Sequence, residues 1–559
     1  MRFLALLLLC LCCTVASQAQ SQYVPLNHFS YHNVDRLNIK YGKILPIVHT
    51  VIKPYKRVTV ANLPDTLGDN GITLNKREQY NVRNMLWDSN EWVEDSVIKS
   101  RNPILKFFYQ DPATFLGVDS KGFVVKVNPV LQFELGKEFG AEPNALIFKN
   151  TRGVELRGSI KKRLSFYTFI TDNQSRGMQY VRRHIQDEEA VPGEGYWKTF
   201  RVTGIDHFSA RGYINFNLLD HVDIQFGHDK NFWGNGYRSL FLSDYGNNMF
   251  FLKVQTTIWR ISYTNLFTEM TATYDRGGDR LLPKKYAAFH HLNFHIAHWL
   301  DIGLFESVVF ERENGFEFQY LNPIIFYRSV EQSLGSPDNS MLGIDFKANI
   351  ARSFQLYGQF LLDEFNFGQI VKLNGWWANK FAIQTGLKYI DAFGIANFDL
   401  QGEANIVRPF TYAHNTTASS YTHYNQPLAH PLGANFWELV GIARYQLLPE
   451  LTAQMTFVYY QKGLDSTGQN WGGNIFVSNV DDNRQLTVQQ EFGNTIAQGI
   501  KQKVALLDLL ISYQAFHNLF VDLNIMYRAS KSALARYNGS QAYVGVGVRL
   551  NMAWRGNYF

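Results

Sequence analysis

Long segments of strict two-residue alternation limit most strongly how this chain can fold. From Ala396 to Ile406, every second residue is apolar or glycine, and the residues between them are Asn397, Asp399, Gln401, Glu403 and Asn405. Similar alternation runs from Val125 to Leu135 and from Tyr543 to Trp554. This period is that of a β-strand with one apolar face. Each segment is longer than most strands of globular proteins and long enough for a tilted strand to cross a membrane.

A membrane strand needs partners on both sides, because an unpaired backbone edge in lipid is very costly. A closed barrel provides them, with the apolar face toward lipid and the polar face toward the lumen. The sequence therefore predicts an all-β transmembrane fold, an antiparallel β-barrel in the outer membrane of a Gram-negative cell. After residue 19, the chain contains no apolar run near the ~20 residues that a membrane helix requires.

The connections between alternating segments predict the strand count. Eight are tight, at 161–163, 219–221, 259–260, 298–300, 351–353, 391–394, 448–450 and 515–518. If the first strand starts near Phe123 and the last ends near Trp554, eight inner turns imply nine outer loops and about eighteen strands. Five long stretches then become extracellular and are where we expect function: 232–248, 313–340, 367–380, 408–435 and 462–498. Alternation is poorest from Ser262 to Tyr286.

The chain before Phe123 has a different pattern. Arg2, the apolar run to Cys13 and small residues up to Ala19 predict a signal peptide at 1–19, cleaved after Ala19. Lipidation is disfavoured because leucine or cysteine precedes each of the three cysteines. As all three lie in this segment, the mature chain has neither a disulfide nor a cysteine-ligated zinc.

Residues 20–122 are predicted to form a small, partly helical periplasmic element, able to sit in the mouth of a barrel that occupies 123–559. Asn75 and Glu78 have the spacing of a capping box. A second short helix is expected from Asn33 to Tyr41, ended by Gly42.

Several chemical functions are disfavoured. The formal charge of +6, or +5 without Arg2, does not indicate a nucleic-acid partner. His290, His291, His295 and His298 resemble a metal cluster, but four residues span ~13 Å on a strand, so His291 and His295 cannot share one ion. The acidic residues Glu306, Glu311, Glu313, Asp363 and Glu364 are better explained as charge lining a lumen, opposite Arg312, Arg328 and Arg352. No motif of a hydrolase or nucleotide-binding enzyme is found. We therefore expect no enzyme, no metal and no cofactor.

Aromatic and amide residues concentrate in the predicted external loops. Rings can stack on the C–H face of a sugar while amide and guanidinium groups bond its hydroxyls. The alternative is that these rings belong to the interfacial girdle of the barrel. The candidate glycan-binding residues are Trp233, Asn235, Tyr237, Arg238, Trp376, Trp377, His423 and Trp471.

The same segments carry a family resemblance. The run "GHDKNFWGNGYRSLFLSD" resembles the signature of the capsule-assembly Wzi family of outer-membrane proteins. Blocks such as "YLNPIIFYRSVE", "GWWANKFAIQTGLKYIDAF" and "NQPLAHPLGANFWE" are similar to a longer branch that includes the gliding-motility protein RemB. The resemblance spans about Asn27 to Trp554. It implies an eighteen-stranded barrel with periplasmic helices, acting as an outer-membrane lectin for capsular polysaccharide.

Three functions follow as hypotheses. The first is a lectin-like surface protein that binds or organises capsular or extracellular polysaccharide, with outer-membrane lipid as its surroundings. The alternative is an outer-membrane component of gliding motility or of surface-protein secretion, with proteins of that machinery as partners. The third is a diffusion porin, which long aromatic loops and a helical N-terminal element disfavour.

Overall fold

The computed structural model describes residues 21–45, 48–68, 71–93, 107–120, 122–140, 146–161, 163–218, 221–274, 281–312, 315–324, 326–335, 338–364 and 366–559. The predicted signal peptide and its cleavage site lie outside these residues.

Eighteen long strands form a closed antiparallel barrel. They are β1 (Phe123–Phe139), β2 (Leu146–Ile160), β3 (Leu164–Arg176), β4 (Gly204–Leu218), β5 (Val222–Asp229), β6 (Met249–Ile258), β7 (Ile261–Thr271), β8 (Lys284–Ala297), β9 (Leu300–Phe310), β10 (Asn339–Ile350), β11 (Phe354–Glu364), β12 (Lys380–Tyr389), β13 (Phe398–Val407), β14 (Phe436–Gln446), β15 (Leu451–Leu464), β16 (Ile500–Phe516), β17 (Leu519–Ser532) and β18 (Gly539–Leu550). Each strand pairs with its neighbour in sequence, and β18 closes the barrel on β1, with Leu550 opposite Leu131.

The strand bounds confirm the predicted connectivity. The eight tight connections join β2 to β3, β4 to β5, and so on to β16 and β17, and all lie at one end of the barrel, here called the turn end. Nine longer connections lie at the opposite end of the barrel, which we call the loop end. The strand count reached from turn spacing is therefore confirmed.

Side-chain exposure confirms which face of each strand points outward. On β18, Val546 is 58% exposed and on β1 Leu135 is 54% exposed, as expected for a face that contacts lipid. On β13, Glu403 and Asn405 are buried and point into the lumen. The polar half of each alternating segment thus lines the interior.

Four helices precede the barrel: α1 (Ser30–Tyr41), α2 (Arg57–Ala61), α3 (Leu63–Gly68) and α4 (Lys76–Asp88). The predicted capping box at Asn75 and Glu78 begins α4, and Gly42, with φ 73°, ends α1, so both local predictions are confirmed. The helices sit in the mouth at the turn end, where Arg36 contacts Asp391 and Asp399 at the start of β13. Within the described ranges, no helix combines the length and apolar character needed to cross a bilayer.

The connection from β5 to β6, residues 230–248, enters the lumen, and we call it the plug loop. Its strand Phe232–Trp233 pairs with Ile52–Lys53 of the N-terminal element. Trp233 is fully buried, with its ring 5.9 Å from that of Phe289 and 6.0 Å from that of Phe305. The prediction that this stretch is extracellular is wrong: its apolar side chains pack on lumen-facing apolar residues of β8 and β9, which burial favours.

The remaining elements are short. Leu116–Ser120 pairs with β1, Lys198–Phe200 with β4, and Thr422–His423 with Gln426–Pro427. Helices α5 (Gln179–Glu188), α6 (Tyr327–Ser333) and α7 (Phe367–Val371) lie in the connections at the loop end. Single 3-10 turns are Asn90–Trp92, Phe318–Leu321, Ala392–Gly394 and Ala535–Tyr537. Residues after β18 turn back into the barrel, where Tyr558 and Phe559 are buried.

Candidate functional site

Four connections at the loop end surround a cavity of about 430 Å³, which we call the outer pocket. Helix α5 forms one side, and the β13–β14, β15–β16 and β17–β18 connections contribute the others. Tyr460 and Arg528 project into it from the barrel wall, and Phe559 also lines it. The outer pocket lies at the end where the long loops leave the barrel.

Aromatic rings and one guanidinium form a compact group in the outer pocket. The Arg528 guanidinium lies 4.5 Å from the centre of the Tyr180 ring. The Tyr180 ring meets that of Phe559 edge to face at 5.7 Å, and the Tyr180 hydroxyl donates to the backbone oxygen of Asn557. These contacts hold α5 against the wall and the chain end.

Asp465 organises the loop that forms another side of the outer pocket. Its carboxylate accepts hydrogen bonds from the backbone N–H groups of Trp471 at 2.7 Å, Gly473 at 3.2 Å and Asn474 at 2.9 Å. A carboxylate that accepts several backbone N–H groups fixes a turn strongly. The position of Trp471 beside the outer pocket is therefore set by Asp465.

Charged groups of both signs line the outer pocket. Arg536 lies 3.6 Å from Asp187, and the Tyr537 hydroxyl donates to the same carboxylate at 3.3 Å. Burial raises the pKa of the Glu188 carboxyl to about 7, although Lys462 opposes the shift. Burial also lowers the pKa of His184 to about 3, so that this ring is neutral at physiological pH. Rings beside guanidinium and carboxylate groups suit a polyhydroxyl ligand.

Trp233, Asn235, Tyr237 and Arg238, the four candidate residues in the plug loop, connect this loop to the N-terminal element and to the inner wall of the barrel. Asn235 accepts a hydrogen bond from Thr50 at 2.8 Å, and its backbone oxygen accepts one from Lys388 at 2.8 Å. Arg238 pairs with Glu438 at 2.9 Å. The backbone N–H of Tyr237 donates to Glu403 at 2.6 Å. Together with the buried Trp233, these residues lie away from the outer pocket.

The other four predicted residues lie at the loop end in three separate places. Trp377 is buried, edge to face with Phe410 at 5.9 Å, and Trp376 is half-buried beside it. His423 is buried and bonded on both ring nitrogens, to the N–H of Thr271 and the oxygen of Asn248. Trp471 is half-buried next to the outer pocket. The exposure expected for Trp233, Trp377 and His423 is therefore wrong, because their loops fold onto one another; a role in glycan binding stays a prediction.

The sequence interpretation missed the residues that line the outer pocket, among them Tyr180, Arg183, Asp187, Arg528, Arg536 and Tyr537. A signal was present in 179–188, where polar and apolar residues recur at helical spacing between two alternating segments.

The histidines of β8 are paired separately. His291 lies 2.6 Å from Asp345, His295 contacts Asp301, and His290 lies on the opposite face, 3.7 Å from Glu306. Each therefore has its own carboxylate, and the strand period places His290 on the face opposite to His291 and His295.

Comparison with known proteins identifies the family. The family model described as capsule assembly protein Wzi matches residues 153–525. Among solved structures, the chain is similar to Wzi of Escherichia coli, described as an outer-membrane protein involved in group 1 capsule assembly and a carbohydrate-binding β-barrel; the two are 13% identical with a TM-score of 0.55, over 95% of this chain and 100% of that one.

Two solved barrels of Pseudomonas aeruginosa are more distant. OprD is 10% identical with a TM-score of 0.41, over 77% of this chain and 97% of that one. OpdK is 7% identical with a TM-score of 0.43, over 77% and 99%. No curated protein sequence matches the chain.

The closed barrel, its lipid-facing apolar surface and its filled lumen define an integral outer-membrane protein. The family match covers more than half of the chain, so the chain belongs to the capsule assembly protein Wzi family.

Proposed function

We propose that this protein binds capsular or extracellular polysaccharide at the cell surface and does so in the outer pocket. The observation that carries the proposal is this cavity of about 430 Å³ at the loop end, lined by rings and by charges of both signs. Family membership and the carbohydrate binding described for the Escherichia coli protein support it.

The lining residues offer two kinds of contact with a sugar. Tyr537 and Phe476 offer faces for stacking on C–H groups. Arg183 and Arg536 offer hydrogen bonds to hydroxyl and carboxylate groups, and Asp187 accepts hydrogen bonds from hydroxyl groups. Trp471 and Trp376 lie half-buried at the same end of the barrel. No step in this function requires catalysis.

The test is the binding of purified full-length protein to purified capsular polysaccharide, measured by surface plasmon resonance. We expect Arg536→Ala and Tyr537→Ala each to weaken binding about tenfold, which corresponds to ~1.4 kcal/mol. The matched control is Arg201→Ala, an arginine in the hairpin between Lys198–Phe200 and β4, away from the outer pocket. Equal affinities for all four proteins would refute the proposed site.

A cell-based experiment tests the function apart from the site. Deleting the gene should release polysaccharide into the medium without stopping its synthesis. Unchanged cell-attached polysaccharide would contradict the function. The comparisons lend no support to the alternative in gliding motility or surface-protein secretion, for which capture of motility or secretion subunits by the purified protein would be the evidence.

A further inference from the structure

The connection between β9 and β10 lies against the outside of the barrel. We call its described residues 315–324 and 326–335 the strap. Tyr327 in the strap is fully buried, and its ring stacks on that of His290 at 3.9 Å. Because the neighbouring His291 points into the lumen toward Trp233, His290 faces outward. The strap thus folds back along the outer wall instead of extending away from the loop end.

The strap covers a row of polar side chains on the outer wall. Asn265 of β7 lies opposite His290 of β8, which lies opposite Glu306 of β9, so that all three share the outward face. Each is at least 94% buried, and the backbone N–H of Arg328 donates to Glu306 at 3.1 Å. Polar side chains exposed to lipid cost free energy, and the strap avoids this cost by covering them.

The strap also reaches far down the wall. The hydroxyl of Tyr263, on β7 only two positions after the strand begins, donates to the backbone oxygen of Pro323 at 2.5 Å. At the loop end, Arg312 and Tyr320 both bond Asp338, at 2.7 Å, and anchor the strap there. It therefore runs alongside the part of the barrel that crosses the membrane.

Large apolar side chains of the strap point away from the barrel. Phe318 is 78% exposed, Ile324 is 87% exposed and Phe326 is 58% exposed. They continue the surface of the wall, where Leu304 of β9 is 48% exposed. Exposing three large apolar side chains to water is unfavourable. Their position beside a lipid-facing wall therefore indicates contact with hydrocarbon.

Several described backbone groups at this exposed tip have hydrogen-bond partners, as a hydrocarbon environment favours. The N–H of Ile324 donates to the Asn322 side chain at 3.1 Å, and the oxygen of Phe326 accepts from the Ser329 hydroxyl at 2.7 Å. Pro323 has no N–H, and its oxygen is bonded by Tyr263.

We propose that the strap is embedded in the hydrocarbon layer of the membrane, with Phe318, Ile324 and Phe326 in contact with lipid acyl chains. The strap shields the polar row on the wall from lipid, and its own outer side provides a lipid-contact surface in addition to that of the strands. This inference is independent of the proposed polysaccharide binding.

Spin labelling tests the embedding. Because Cys10, Cys12 and Cys13 all lie in the predicted signal peptide, the chain without that segment carries no cysteine, and one introduced cysteine is a unique label site. Phe318→Cys and Ile324→Cys are labelled in full-length mature protein reconstituted into phosphatidylcholine vesicles. Val546→Cys on β18 is the lipid control, and Val202→Cys, 89% exposed in the hairpin before β4, is the aqueous control.

Collision rates with oxygen, which concentrates in lipid, and with a water-soluble nickel chelate give the result. We expect the ratio of oxygen to nickel collisions at residues 318 and 324 to equal that of residue 546 and to exceed that of residue 202 several-fold. A ratio like that of residue 202 would place the strap in water and overturn the proposal. Low collision rates with both reagents would show a protein cover and overturn it as well. Heat-modifiable migration in gels shows that each labelled barrel is folded.

Discussion

Two lumen carboxylates explain why sequence patterns misjudged the plug loop. Glu403 accepts hydrogen bonds from the backbone N–H groups of Tyr237 at 2.6 Å and Arg238 at 3.0 Å. Glu438 pairs with the guanidinium of Arg238 and lies 2.7 Å from His430. These partners are about 165 to 200 residues away in sequence. Residue types alone cannot show whether an arginine in a loop serves a ligand or a distant carboxylate.

Glu188 should make binding in the outer pocket depend on pH. Because burial raises its pKa to about 7, the side chain is neutral at pH 6 and negative at pH 8. An acidic polysaccharide should therefore bind more tightly at pH 6, when one negative charge is absent, and Glu188→Gln should remove most of this difference. Affinity measured at both pH values in the two proteins checks this. Equal pH dependence in Glu188→Gln would assign the effect to another group.

The strands β7 to β9 show what alternation can and cannot predict. The weak pattern from Ser262 to Tyr286 has two sources: β7 ends at Thr271 and β8 begins only at Lys284, and the outward face of β7 carries the polar Asn265 where the strap covers the wall. Elsewhere the lipid imposes the pattern directly, and strand positions, turns and facing were all predictable. The covering segment itself has no periodicity that would indicate where it packs.

The helix start in the N-terminal element could also be predicted, because a capping box involves only neighbouring residues. The place where α4 docks on the barrel could not be predicted from the sequence. Asn84 of α4 contacts Gln514 and His517 near the end of β16, more than 400 residues later. Such contacts form only when the whole barrel closes, so a local sequence pattern of about twenty residues does not indicate them.

A pair of arginine substitutions tests the facing of the strands. Val546→Arg on β18 places a charge in lipid near the middle of the strand, and we expect it to lower the free energy of unfolding by about 2 to 4 kcal/mol. Thr452→Arg on β15 places the same group in the lumen beside a water-accessible cavity, where little change is expected. Urea unfolding in lipid vesicles gives both values. Similar losses would mean that the facing is assigned incorrectly.

Seen as a whole, the interior of the barrel contains a second cavity besides the outer pocket. An inner cavity of about 530 Å³ extends from Glu450 and Asn518 at the turn end to Arg238 and Asp244 of the plug loop. Pro431 lines both this cavity and the outer pocket; Tyr558 lines the inner one and Phe559 the outer one. The residues that follow β18 thus form part of the partition between the two cavities.

Removing part of that partition should create a conducting path. We expect the double substitution Tyr558→Ala with Phe559→Ala to raise single-channel conductance in planar bilayers above the low value expected for the native protein. A large conductance in the native protein would favour the porin hypothesis, and equal conductance in both would show that the partition lies elsewhere. Heat-modifiable migration controls for barrel assembly.

The pairing of Trp233 with Ile52 in the middle of the lumen bears on the order of events in biogenesis. These two residues are 181 positions apart, whereas Leu131 and Leu550 at the seam between β1 and β18 are 419 apart. Loop-closure entropy favours the shorter connection, and a sealed cylinder would admit neither partner from the side. We therefore expect the contents to be in place before the seam forms. A chain that closed early would have an emptier, leaking lumen, so this order of assembly would protect the permeability barrier of the cell.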